Sequence, residues 1–288
     1  MHQREVKGIL SAHNGMNISR GCTHGCIYCD SRSTCYRIEH DFEDVQIKSN
    51  APALLEDALA RKRKKCVIGT GAMSDPYIPI RENLANIRSC LEIIDRHGCG
   101  LAIQTKSDLI LRDLDLLNNI NKKAKCIVET TLTTFDENLC AIIEPNVCTT
   151  RRRFEVLKIM RDNGIQTIVW LSPFLPFIND TEENLRGLLD YCVEAGVYGI
   201  LCWGIGMTLR EGSRDYFYAK LDEHFPGLKE AYQQKYGLNY VITSDNNEPL
   251  MKLFFEVCEK HKIAYGNDRL FEYMRTFTEK QGAQMELF

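Results

Sequence analysis

Six short apolar runs punctuate the chain, at 15–19 (GMNIS), 66–70 (CVIGT), 100–105 (GLAIQT), 126–133 (CIVETTLT), 166–173 (QTIVWLSP) and 198–206 (YGILCWGIG). Several carry β-branched residues and apolar side chains on consecutive positions, the pattern of strands buried on both faces. Amphipathic stretches lie between them. Residues 81–98 and 149–164 each end on a glycine suited to a helix C-cap. Residues 180–196 open on Asp180 with Glu183 three positions later, which predicts a capping box, and close on Gly196. Six βα units in succession predict a parallel sheet in the α/β class, as a partial (β/α)6 TIM-type barrel. An open doubly wound sheet fits the pattern nearly as well. After residue 211 the strands are expected to stop, and 214–225, 247–262 and 268–281 read as helices. No Pro/Gly/Ser-rich linker intervenes, so 1–211 reads as the core and 212–288 as a helical extension with a flexible tail, closing one end of the sheet or covering its edge.

Composition narrows the class. The chain has 288 residues, 44% hydrophobic and 26% charged, enough to bury a sizeable core. A formal net charge of −3 provides no global positive field for nucleic acid, though a local basic groove remains compatible with it. Neither an apolar signal core nor a run of about 18 apolar residues occurs, so the chain reads as cytoplasmic, with no membrane partner. The 13 cysteines are an odd number without a paired framework, and many sit within apolar runs as small buried hydrophobes.

Three of those cysteines differ. Cys22, Cys26 and Cys29 share one short loop directly after the first predicted strand, where parallel α/β folds gather their chemistry. Thiolates at this spacing suit an iron–sulfur cluster or zinc. Three thiolates on a four-iron cluster leave one iron open to a small molecule. A structural zinc with His24 as fourth ligand is the alternative, although His24 is cramped between two of the cysteines.

The Cys22-x3-Cys26-x2-Cys29 spacing, with Tyr28 before the third cysteine, resembles the radical S-adenosylmethionine (SAM) signature. The resemblance implies a [4Fe–4S] cluster whose open iron is chelated by SAM, reductive cleavage to a 5′-deoxyadenosyl radical, and hydrogen abstraction from a substrate. It also implies an external electron donor such as flavodoxin or ferredoxin. The segments 71–82 (GAMSDPYIPIRE), 105–117 (TKSDLILRDLDLL), 144–157 (EPNVCTTRRRFEVL) and 172–184 (SPFLPFINDTEEN) are similar to the spore-photoproduct-lyase-like branch, over about residues 14–211. Carried onto this chain, Ser74 and Asp75 meet the methionine end of SAM, Lys106 pairs with its carboxylate, and the backbone at Tyr28 reads adenine. The chain departs from that branch at Ala72, where the lyase has a hydrogen-donating cysteine, and at Asp30, where it has a tyrosine. Cys35, Cys140 and Cys148 are the substitute donors, with buried packing as their default role. Thymine-dimer reversal by that route is therefore unsupported.

The expected substrate is a nucleobase, in DNA or as a free modified base, with radical-initiated bond cleavage of the lyase type. A queuine lyase-like salvage reaction on a 7-deazaguanine is the first alternative, and a non-catalytic zinc-containing DNA-associated protein the second. The basic run RKRKK (61–65) precedes a strand and so belongs at the far end of the barrel. Arg20, Arg32, Arg81, Arg151, Arg152, Arg153, Arg210 and Arg214 fall near strand C-terminal ends, where they could meet phosphates or a planar base. Asp30, Tyr77, Glu129 and Trp203 are the candidates for the base itself. The tail QMELF resembles a sliding-clamp-binding pentapeptide, with Gln284, Met285, Leu287 and Phe288 as contacts.

Overall fold

A computed structural model describes residues 1–280. In chain order the strands are β1 (His2–Arg4), β2 (Gly15–Met16), β3 (Ser19–Arg20), β4 (Gln46–Lys48), β5 (Val67–Thr70), β6 (Gly100–Gln104), β7 (Cys126–Thr131), β8 (Gln166–Trp170), β9 (Gly199–Leu201), β10 (Gly206–Thr208) and β11 (Val241–Thr243). The helices are α1 (Ala51–Ala60), α2 (Arg81–Arg96), α3 (Leu114–Lys123), α4 (Glu137–Ile143), α5 (Thr150–Asp162), α6 (Glu182–Ala195), α7 (Ser213–His224), α8 (Leu228–Tyr236), α9 (Asn247–His261) and α10 (Asn267–Arg275).

The main sheet runs β2-β5-β6-β7-β8-β9, every neighbouring pair parallel. Its spatial order follows chain order without reversal, whereas a doubly wound sheet reverses at a switch point. The fold is thus a partial (β/α)6 barrel, with no pairing between β9 and β2 to close it among the described residues.

Two predicted strands are divided. The 15–19 run leaves the main sheet after Met16, and Ser19–Arg20 pairs instead with β4, which pairs in turn with β1. The 198–206 run breaks between β9 and β10, and β10 pairs antiparallel with β11. The strands therefore do not stop at residue 211, because β11 lies within the helical extension. The capping expectation also shifts by one residue. Thr181, not Asp180, accepts the Asn184 N–H at the start of α6, and Asp180 instead accepts a hydrogen bond from Ser244.

The outer face of the sheet packs under α1–α3 through Ile68, Ile87, Leu91, Leu101, Ile103 and Leu117. The inner face is closed from below by α10, whose Leu270 and Met274 join Val67, Ala102, Ile127, Ile168 and Leu201. Each fully buried leucine of this kind contributes about 1.5–3 kcal/mol. The approach is close: a Cβ on Gly199 would lie 2.6 Å from a Leu270 methyl. At the opposite end α7 and α8 pack Phe217, Leu221 and Tyr232 into one cluster with Ile27 of the cysteine loop. The extension thus touches both ends of the barrel, which independent helical periodicities along the sequence did not specify. No helix among the described residues is long and apolar enough to cross a membrane.

Candidate active site

The cysteine loop wraps over the C-terminal end of the sheet. Gly21 (φ +81°) lets its backbone approach so closely that a Cβ there would lie 2.4 Å from the Phe42 carbonyl oxygen. The end of α4 and the segment after it clasp the loop: Ile27 N–H donates to Ile143 O at 3.0 Å, Asn146 N–H to His24 O at 3.1 Å, and Asn146 Nδ2 to Thr23 O at 2.9 Å.

Cys22, Cys26, Cys29, Tyr28, Ser74, Asp75 and Lys106 all line one pocket, so the predicted cofactor residues are brought together. Their roles within it differ. Ser74 Oγ donates to Gly21 O at 2.6 Å and lies 2.9 Å from Ser19 Oγ, locking the loop to the turn after β5. Asp75 receives the Tyr77 N–H (2.8 Å), the Thr105 hydroxyl (2.7 Å) and the Lys106 N–H (2.8 Å), and its Oδ2 lies 3.5 Å from His24 Nδ1. Both residues spend their polar atoms on organising the pocket. Lys106 differs, because its ammonium makes no hydrogen bond among the described residues and lies 5.9 Å from the Tyr28 ring centre. Burial opposes its charge, but Cys26 and Glu144 outweigh that and hold its pKa above the ordinary value. The Tyr28 backbone N–H and C=O are likewise unbonded within the described residues.

Beneath the loop lies a buried polar network that the sequence did not reveal. The Tyr28 hydroxyl donates to Glu144, and Arg153 forms an ion pair with the same carboxylate. Arg153 Nη1 also donates to Thr131 O at 2.7 Å, and Nη2 lies 3.2 Å from Cys140 Sγ. Arg153 and Glu144 are each only 1% exposed. Burial opposes ionisation of Glu144, but Arg153 and then Lys106 outweigh it and keep its pKa below the usual value.

The donor set fits an iron–sulfur cluster. Burial pushes the Cys22 thiol to about 12 and Cys26 higher still, so metal charge is required to hold them as thiolates. For zinc the geometry offers no support. His24, the fourth ligand that a zinc site would need, is turned toward Asp75, its Nδ1 3.5 Å from Oδ2.

A second cavity, of about 300 Å³, occupies the barrel interior. It shares Ala72 and Gln104 with the cysteine pocket and is otherwise lined by Asn17, Glu129, Trp170, Phe271, Met274 and Arg275, among others. Gly71 (φ +102°), which lines the cysteine pocket, packs closely on the shared Gln104: a Cβ there would lie 2.0 Å from the Gln104 carbonyl oxygen. Glu129 lies in this cavity as the sequence suggested, with Oε2 accepting from Trp170 Nε1 at 2.7 Å. Burial raises its pKa to about 7, partly offset by that hydrogen bond. Trp203 stands at the edge, its ring centre 5.1 Å from that of Trp170 and 6.0 Å from that of Phe271.

Tyr77 and Asp30 do not join them. Tyr77 is 0% exposed and packs in the outer core, because the Asp75–Tyr77 turn directs its ring away from both chambers. Asp30 accepts the Tyr36 hydroxyl at 2.8 Å and lies 3.5 Å from Arg210 on the rim. The expected arginine mouth is largely committed elsewhere. Arg153 is buried against Glu144, Arg152 pairs with Asp108 and Glu155, and Arg214 donates to three backbone carbonyls. Arg32 pairs with Glu43 and lies over the rings of Phe42 and Tyr216. Cys140 belongs to the Arg153 network, Cys148 donates to Lys106 O, and Cys35 contacts Arg210; none lines either chamber. The clamp-like tail, Gln284 to Phe288, lies outside the described residues.

Residues 16–192, more than half of the chain, match the Radical SAM superfamily, and the chain belongs to it. Its cofactors are accordingly SAM and a [4Fe–4S] cluster. Among proteins similar in sequence is the uncharacterized protein Rv2578c of Mycobacterium tuberculosis, 28% identical over 257 residues and covering 86% of this chain and 74% of that protein. The uncharacterized protein MJ0683 of Methanocaldococcus jannaschii is 35% identical over 164 residues, covering 56% of this chain and 60% of that protein. Among solved structures, the fold is similar to that of a tyrosine-to-phenylalanine mutant of spore photoproduct lyase (TM-score 0.63, 14% identity, covering 92% of this chain and 80% of that one).

Proposed function

We propose that this radical SAM enzyme abstracts hydrogen from a nucleobase-type substrate held in the barrel cavity and thereby initiates cleavage of a bond. The observation that carries the reading is the adjacency of the two chambers, one lined by the three cysteines and the other by aromatic rings and a buried carboxyl, with Gln104 and Ala72 common to both. Cys22, Cys26 and Cys29 hold the cluster. Lys106 meets the SAM carboxylate as a charge-assisted partner, while Ser74 and Asp75 fix the pocket around it. The free backbone of Tyr28 reads the adenine. Once bound and reduced by an external one-electron donor, these cofactors supply a 5′-deoxyadenosyl radical. The chain orients them and excludes water from the seam between the chambers.

Two considerations support a base rather than a larger ligand in the cavity. Its volume of about 300 Å³ lies at the small end of ligand pockets, and α10 closes its floor. Spore photoproduct lyase has been solved with a dinucleoside spore photoproduct, which supports nucleobase chemistry in this fold. Ala72 lines the seam and carries no thiol, so a hydrogen atom is not returned from this position. A free modified base of the 7-deazaguanine kind suits this small cavity better than duplex DNA, given that Arg32, Arg152, Arg153 and Arg210 are paired with carboxylates.

The test is anaerobic reconstitution with iron and sulfide, followed by SAM and dithionite, with 5′-deoxyadenosine measured by chromatography. Its formation should depend on the cluster and rise on addition of 7-deazaguanine bases or of DNA containing damaged thymines. An intact cluster that yields no 5′-deoxyadenosine under any addition contradicts the proposal.

A further inference from the structure

Gln104 and Glu129 are direct partners across neighbouring parallel strands, so both side chains leave the sheet at the same level on its inner face. Both line the barrel cavity. Trp170, on the next strand, donates its indole N–H to Glu129 Oε2. Glu129 Oε1 and the Gln104 carboxamide make no hydrogen bond among the described residues, although Glu129 is only 5% exposed. Gln104 is half-buried and Glu129 buried, and two adjacent polar groups without a protein partner at a cavity constitute capacity for a ligand. Trp170, Trp203 and Phe271 stand beside them with ring centres 5.1–6.0 Å apart, an aromatic wall for a flat ring.

We infer that Gln104 and Glu129 form a two-point reader for the edge of a planar nitrogen heterocycle. A ring N–H donates to Glu129 Oε1, and the adjacent ring carbonyl accepts from the Gln104 amide. The substrate class is a lactam-type base, in which N–H and C=O occupy neighbouring positions. This rests on the proposed placement of a nucleobase in the barrel and adds what selects it. Trp170 has a second role in the reader: its N–H requires an acceptor, so it fixes which carboxyl oxygen faces the ligand. The same constraint acts on a Glu129→Gln variant. There the amide oxygen must turn to Trp170, which directs the new NH₂ group at the ligand's own N–H.

The experiment is equilibrium dialysis of the anaerobic holoenzyme with SAM, using 7-deazaguanine and thymine, each against its ring-N-methylated counterpart. A thymidine dinucleotide and its N-methylated counterpart form a further arm, separating a free base from a base within a strand. Of the chain's two tryptophans, Trp170 lines this cavity and Trp203 packs against it with ring centres 5.1 Å apart, so quenching of their emission reports a ligand there. We expect N-methylation to weaken binding by about 10–100-fold, as for loss of a hydrogen bond to a charged group. In Glu129→Gln that discrimination should disappear or reverse, and in Gln104→Leu the unmethylated base should bind more weakly. Equal binding of a base and its N-methylated counterpart, with quenching intact, overturns the edge reader while leaving a base in the cavity. No binding and no quenching by any probe overturns both.

Discussion

In the cysteine pocket most polar side chains are tied to one another: Ser74 to the Gly21 carbonyl, Asp75 to three donors, Tyr28 to Glu144, and Glu144 to Arg153. At the boundary with the barrel cavity, the carboxamide of Gln104, which lines both chambers, and one oxygen of Glu129 have no hydrogen-bond partner among the described residues. The first chamber is organised before anything binds, as suits cofactors present in every turnover, and its one free cationic head among the described residues is Lys106. The second keeps its hydrogen-bonding capacity open within an apolar and aromatic wall, as suits a ligand that must be selected.

Perturbations should separate the two chambers, and the largest effect belongs to the cluster. Cys29→Ser should leave the reconstituted protein short of iron and sulfide and reduce 5′-deoxyadenosine formation to below about 1% of the native rate, measured by metal analysis and chromatography. Next comes the network below the loop. Arg153→Met strands the buried Glu144 carboxylate, which should cost about 3–5 kcal/mol and lower the thermal midpoint by roughly 10 °C. Lys106→Met should weaken SAM binding about 10–100-fold through loss of one charge-assisted contact, read by calorimetry on the anaerobic holoenzyme without reductant.

The most conditional effect is a pH dependence in the second chamber, absent in acid. The folded-state pKa of Glu129, about 7, lies above its ordinary value of 4.5, so the folded state holds a proton that the unfolded state releases first. Its destabilising contribution is absent below pH 4.5, grows as pH rises, and is complete above pH 7. Glu129→Gln should therefore match the native protein near pH 4.5 and exceed it by about 3 kcal/mol at about pH 8, checked by thermal melts across that window.

The same contrast explains what the sequence disclosed. Cys22, Cys26 and Cys29 form one contiguous spacing, and the family resemblance singled out Ser74, Asp75 and Lys106 in the turns after strands, so the residues that line the first chamber could be located along the chain. The barrel was legible too, since buried parallel strands declare themselves as apolar runs. The second chamber is assembled from β6, β7, β8 and α10, elements far apart in the sequence. Glu129 was noticeable there as an acid inside an apolar run. Gln104 gave no such signal, because a glutamine at a strand's end reads as an ordinary boundary residue. Tyr77 went astray for a different reason: position within a turn does not tell which way a ring points. Nor could Arg153, one of three consecutive arginines, be distinguished as the buried one before α5 was seen packed over Glu144.

The most direct test of the two-chamber account is 5′-deoxyadenosine formation by the anaerobic holoenzyme, measured against SAM concentration and, separately, against concentration of the base that stimulates it. Native protein is to be compared with Lys106→Met and Glu129→Gln. The account predicts that Lys106→Met shifts half-saturation for SAM and not for the base, whereas Glu129→Gln shifts it for the base and not for SAM. Both substitutions moving the same saturation curve would contradict it.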